Sequence, residues 1–102
     1  MKNVKNIFFP TEETMLLMSE ILKKYELYET DSEMMKKINT RKISATMTSI
    51  FIIKKIATDE MTLSGAVEKL KNDLLLSPET AQKIANELND RVVPLGEKRA
   101  VF

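Results

Sequence analysis

The chain has 102 residues, 30% of them charged and 43% hydrophobic, with a formal net charge of +1: enough for one domain, too apolar for a disordered segment, and without a global field for nucleic acid or membrane. It contains no histidine, cysteine or tryptophan, which excludes a histidine general base, a cysteine nucleophile, a disulfide and any Cys/His metal site. Its two glycines, Gly65 and Gly96, cannot build a glycine-rich phosphate loop.

Residues 1–10 read as a short lead-in, with two lysines but without the apolar core of about 7–15 residues that a signal peptide needs. Phe8 and Phe9 precede Pro10-Thr11-Glu12-Glu13, a helix start onto which one of the phenylalanines can staple. A first helix follows over 11–25, with Leu17, Met18, Ile21, Leu22 and Tyr25 on its apolar face and Glu20, Lys23 and Lys24 opposite. Thr30-Asp31-Ser32-Glu33 is a capping box that opens a short second helix over 31–38, carrying Met34, Met35 and Ile38. Asn39-Thr40 either breaks this helix or only bends it into the next.

A third helix is expected over 41–57, where Ile43, Met47, Ile50, Ile53 and Ala57 recur every three or four residues as a core face. Thr46 shares that face and needs a hydrogen-bond partner if buried. Ile50-Phe51-Ile52-Ile53 also suits a strand, but the chain offers no second convincing strand to pair with it. Lys54-Lys55 ends the run far short of the ~20 residues of a membrane span. Because Phe51, Ile52, Ile53 and Ile56 point in different directions, this helix should lie at the centre of the fold.

After the polar link Thr58-Asp59-Glu60, a fourth helix starts near Thr62 with Leu63, Ala66, Val67, Leu70 and Leu74 on one face. Leu75-Leu76 leads into Ser77-Pro78-Glu79-Thr80. There the serine side chain can cap an orphan amide, proline fits the first helical position, and glutamate faces the positive end of the dipole. Ala81, Ile84, Ala85, Leu88 and Val92 draw a narrow apolar stripe along the fifth helix, which must end before Pro94. Residues 94–102 read as a flexible tail. The acidic pairs Glu12-Glu13 and Asp59-Glu60 fall where acids serve as dipole partners rather than as an acid–base site.

The run from Met61-Thr62-Leu63 through Ile84-Ala85-Asn86-Glu87-Leu88 resembles helix–turn–helix modules of bacterial proteins. The resemblance covers about a third of the chain and carries no functional residue. It departs from such modules in the stretch Lys71 to Leu76, which intervenes without glycine. It also departs in the acids on the would-be recognition face of Thr80, Gln82, Lys83, Asn86, Glu87 and Asp90. The Pro78-led hairpin is loosely similar to ubiquitin-associated-type three-helix folds but lacks their glycine loop.

The expected fold is all-α: a small bundle of four to five short helices in irregular or orthogonal packing, with a C-terminal helix hairpin, over 11–93. With no catalytic, cofactor or metal equipment in view, the expected role is a non-enzymatic protein-interaction or assembly module in the cytoplasm, meeting a protein partner or its own copy. Neither a membrane nor a small-molecule substrate is expected. The candidate contacts are Met34, Met35, Phe51 and Ile52, given the surplus of apolar and methionine residues. The alternative is nucleic-acid binding. Between Lys36 and Ala57 stand six basic residues, Lys36, Lys37, Arg41, Lys42, Lys54 and Lys55, and no acidic one.

Overall fold

The computed structural model describes residues 6–99. Five helices form the body: α1 (Thr11–Lys24), α2 (Asp31–Asn39), α3 (Ala45–Ala57), α4 (Leu63–Leu74) and α5 (Pro78–Glu87). After α5 the chain widens into one π-helical stretch, Leu88–Val92, and tightens into a 3-10 turn, Val93–Leu95. Pro94 has no N–H to continue a helix, so the sequence limit at Pro94 is met by a change of helix type. Short strands β1 (Asn6–Phe8) and β2 (Glu97–Arg99) pair antiparallel, Asn6 opposite Arg99 and Phe8 opposite Glu97. The protein is therefore a small all-α bundle fastened by a two-stranded ribbon.

The helices start where their caps dictate. Thr30 and Glu33 close the capping box reciprocally at 3.1 Å each, and Ser44, Thr62 and Ser77 accept from the amides of Met47, Gly65 and Thr80. The first four helices stop by a shared device. Glu26, Arg41, Asp59 and Leu75 adopt left-handed backbone at φ 55–61°. The amides that follow them reach back to the carbonyls of Leu22, Lys37, Lys55 and Lys71, as in glycine-terminated helices. None of the four is glycine, and each such residue costs about 1–2 kcal/mol relative to right-handed backbone.

The core is built from Met18, Ile21 and Leu22 of α1, Ile52 and Ile53 of α3, Ala66 and Leu70 of α4, and Ala81, Ile84, Ala85, Leu88 and Val92 from α5 onward. The stripe read along the fifth helix is fully buried. Helix α3 is central, packing against α1, α4 and the π and 3-10 turns.

Several expectations change. The second and third helices, left open as one bent helix or two, are separate, and α3 begins at Ala45 rather than at Arg41, because Arg41 turns left-handed and Ser44 opens α3 anew. The buried side of α3 carries Ala45, Thr46, Thr48, Ser49, Ile52 and Ile53, while Ile43 and Met47 are 52% and 44% exposed and Ile50 is half-buried. Ser49 can lie on this face, fully buried, because its hydroxyl donates to the Ala45 carbonyl at 2.8 Å. The tail expected to be flexible over 94–102 holds a 3-10 turn and then pairs through 97–99 with β1; residues 100–102 and 1–5 lie outside the described residues. Gly96 permits that return. A Cβ there would sit 2.9 Å from both the Ile7 side chain and the Phe9 ring.

Candidate functional site

Helix α2 buries no residue fully. It is held to the body by a polar joint centred on Glu29, itself only 7% exposed. One oxygen of this carboxylate accepts from the Ser44 hydroxyl (2.6 Å) and the Thr46 amide (3.0 Å); the other accepts from the Ala45 amide (3.2 Å) and the Lys37 ammonium (2.6 Å). Glu29 thus supplies the negative charge that the first turn of α3 lacks. Burial opposes the charged form, but the bonds from Lys37, Ser44 and Thr46 outweigh it and hold the carboxyl at about 2. Because Ser44 and Lys37 meet on one anion, the turn 40–44 and the C-terminal half of α2 are fixed against the start of α3.

That fixation creates a groove of about 300 Å³ whose rim carries Ile38 from α2, Ile43 from the turn, and Met47 and Phe51 from α3, closed on the far side by Lys69 and Asp73 of α4. All four apolar residues are large and between 42% and 52% exposed. Met47 and Phe51 are one helical turn apart, so their side chains stand on one face. The Phe51 ring sits beneath two ammonium groups, Lys69 at 4.9 Å and Lys55 at 5.5 Å from its centre. A neighbouring hollow shares Ile43 and Asp73 with this groove and adds Tyr28 and Leu75. Leu75 is 89% exposed while held at φ 55°. An exposed leucine in left-handed backbone is unfavourable both for solvation and for conformation.

Of the candidate contacts, Phe51 lies in this groove. Met35 is 50% exposed one turn before Ile38 on α2, and Met34 is half-buried. Ile52 is a correction: its side chain points into the core and is fully buried, one position of helical rotation away from Phe51. The residues that pattern reading missed, Ile43 and Met47, were assigned to the core because their spacing is helical. Their actual signal is the gap between that spacing and the Ser44 cap, which rotates α3 so that Ala45, Ser49 and Ile52 face inward.

The basic segment divides. Lys37 is committed to Glu29, and Lys55 pairs with Glu60 at 3.3 Å, so neither is a free cation. Lys36, Arg41, Lys42 and Lys54 are exposed and have no ion-pair partner among the described residues.

The helix–turn–helix likeness gains in geometry and loses in chemistry. Helix α4 runs to Leu74, so the connection to α5 is the three residues 75–77 rather than a stretch from Lys71. The outer face of α5, however, is consumed by its own contacts. Lys83 pairs with Glu79, Gln82 donates to Asn86, and Glu87 binds Lys24, Tyr25 and Arg91. At that cluster burial works against the Glu87 carboxylate, but the bonds from Lys24 and Tyr25 hold its pKa below the usual value.

Among the described residues no helix is long and apolar enough to cross a membrane, and no three acidic side chains gather as a metal site. No family model, curated protein or solved structure matches the chain.

Proposed function

We propose that the protein is a non-catalytic interaction module of the cytoplasm that docks a protein partner on the groove formed by Ile38, Ile43, Met47 and Phe51. The observation that carries the reading is the contiguous exposure of these four large apolar side chains beside the well-filled core. Scattered exposed hydrophobics need no explanation, but a contiguous apolar groove with a charged rim is the composition of a protein interface. The joint at Glu29 adds a rigid support, so the groove exists before a partner arrives and little ordering cost remains to be met on binding.

The test is a photo-crosslinking residue placed at Met47 in cells, with one at Lys83, exposed on α5 outside the groove, as control. Position 47 should give discrete adducts that vanish when Phe51→Glu is added, and position 83 should not. Equal adducts at both positions, or none at 47, would refute the docking face.

A second reading, nucleic-acid binding, is favoured by one observation: the exposed and unpaired cations Lys36, Arg41 and Lys42 at the end of α2. It predicts retention of an oligonucleotide at low salt that is lost steeply as salt rises. No retention at low salt ends it.

A further inference from the structure

We infer that the occupant of the groove is an acidic amphipathic helix of another protein; this rests on the docking face proposed above and names its partner chemistry. Shape is the first ground. Met47 and Phe51 stand one turn apart on α3, about 6 Å at 1.5 Å per residue, and Ile43 from the turn before the Ser44 cap and Ile38 from α2 add to the apolar lining. A helix of two to three turns presents apolar anchors at i, i+4 and i+7 over about 10 Å and suits such a set of separate apolar contacts. The buried Thr48 and Ser44 form the floor.

Charge is the second ground, and it decides between occupants. The apolar row lies within 36–57, the stretch with six basic residues and no acidic one. Of those six, Lys36, Arg41, Lys42 and Lys54 are exposed without an ion-pair partner among the described residues. Lys42 lines the groove itself with Arg41 next to it in the chain, and Lys55 and Lys69 stand over the Phe51 ring, whereas Lys54 lines a separate hollow with Ile50 and Phe8. The acids nearby are already engaged or distant from this row: Asp73 is bound to Lys69 at 2.5 Å, and Glu26 stands at the far hollow beside Leu75. A second copy of the chain would bring this cationic rim against itself, and like charges facing across an interface are selected against. Nucleic acid would satisfy the cations but would leave Ile38, Ile43 and Met47 without a use. An acidic helix with an apolar face satisfies both sets.

The experiment uses a displayed pool of 14-residue helices with leucine fixed at four positions on one face and either glutamate or lysine at every outward position, selected against the full chain. Glutamate-rich members should be enriched. An enriched peptide, made with a fluorescent label, should bind about tenfold more weakly to Met47→Glu protein, and as much more weakly to the Arg41→Gln/Lys42→Gln double variant, with affinity falling as salt rises. Circular dichroism melting controls for folding; both sites are exposed, so the variants should melt as the parent does. Enrichment of lysine-rich helices, or of neither class, would overturn the proposal. A wild-type dimer seen by light scattering and converted to monomer by Met47→Glu would replace the acidic helix by a second copy while leaving the docking face standing. A labelled oligonucleotide that binds equally to parent and Met47→Glu protein, with no peptide selected, would overturn both.

Discussion

Glu29→Gln should remove about 3 kcal/mol of stability at neutral pH. The figure follows from linkage. A carboxyl that titrates at 4.5 when unexceptional and at about 2 in the fold contributes about 3 kcal/mol to the folded state once both forms are ionised. The side chain is nearly inaccessible, 3% exposed, so solvent screening takes little from that number. Glutamine fits the space, but its NH2 group would face either the Lys37 ammonium and the Ala45 amide or the Thr46 amide, donor against donor. The sign is that of a depressed acid: the contribution is complete above about pH 5, declines as pH falls, and is gone below about pH 2. Urea denaturation of parent and variant should therefore show a deficit near 3 kcal/mol at pH 7, about half of that at pH 3, and convergence at the acid end. A deficit below about 1 kcal/mol at pH 7 would refute the joint, and a deficit independent of pH would show that packing rather than charge supplies it.

Four further outcomes can be checked by similar means. Ile52→Ala should cost about 2–5 kcal/mol by urea denaturation while its neighbour Phe51→Ala costs well under half as much, since only the first leaves a cavity in the core. Thr14→Val should raise the melting temperature. The Thr14 hydroxyl is buried without a hydrogen-bond partner among the described residues, and its removal relieves about 1 kcal/mol. Leu75→Gly should stabilise by about 1 kcal/mol in thermal melts, because glycine adopts the left-handed turn freely and the leucine buries little there. In the alkaline range, Tyr28→Phe protein should show a phenol transition at about 12. The hydrogen bond to Glu87, then burial and the Glu87 charge, hold the Tyr25 proton above its ordinary 10. Because the folded value is raised, this contribution is present below pH 10 and disappears as pH passes about 12; a transition at the ordinary value would deny the bond.

Local chemistry was legible in the chain and distant chemistry was not. The capping box at Thr30, the Ser77 cap and the stripe from Ala81 to Val92 are short-range patterns, and each appears in the structure where the pattern puts it. The face of α3 was misread because hydropathy counts Thr46, Thr48 and Ser49 as surface residues. The Ser49 hydroxyl donates to the Ala45 carbonyl and the Thr46 backbone amide to Glu29, contacts that no periodicity shows. Once those residues face inward, Ile43 and Met47 must face outward, and the candidate groove follows. Phe51 was legible as surplus apolar surface; Ile52, beside it, was not separable from it without the position of the Ser44 cap. The helix ends were hidden for a different reason, since Glu26, Arg41, Asp59 and Leu75 occupy turns that glycine ordinarily marks. The return of the chain through Gly96 to Ile7 is a contact across nearly the whole sequence, beyond any local signal.

The ribbon between β1 and β2 has a mechanical consequence. Asn6 and Arg99 are paired at its outer end and Phe8 and Glu97 at its inner end, so tension applied through the two ends of the described chain opens the ladder from the outside inward. The strand bonds are then loaded one after another, as in a zipper, and not all at once as in a sheared pair. Such a fastening yields to small forces in sequence and exposes the helical body only after the last pair at Phe8 has parted.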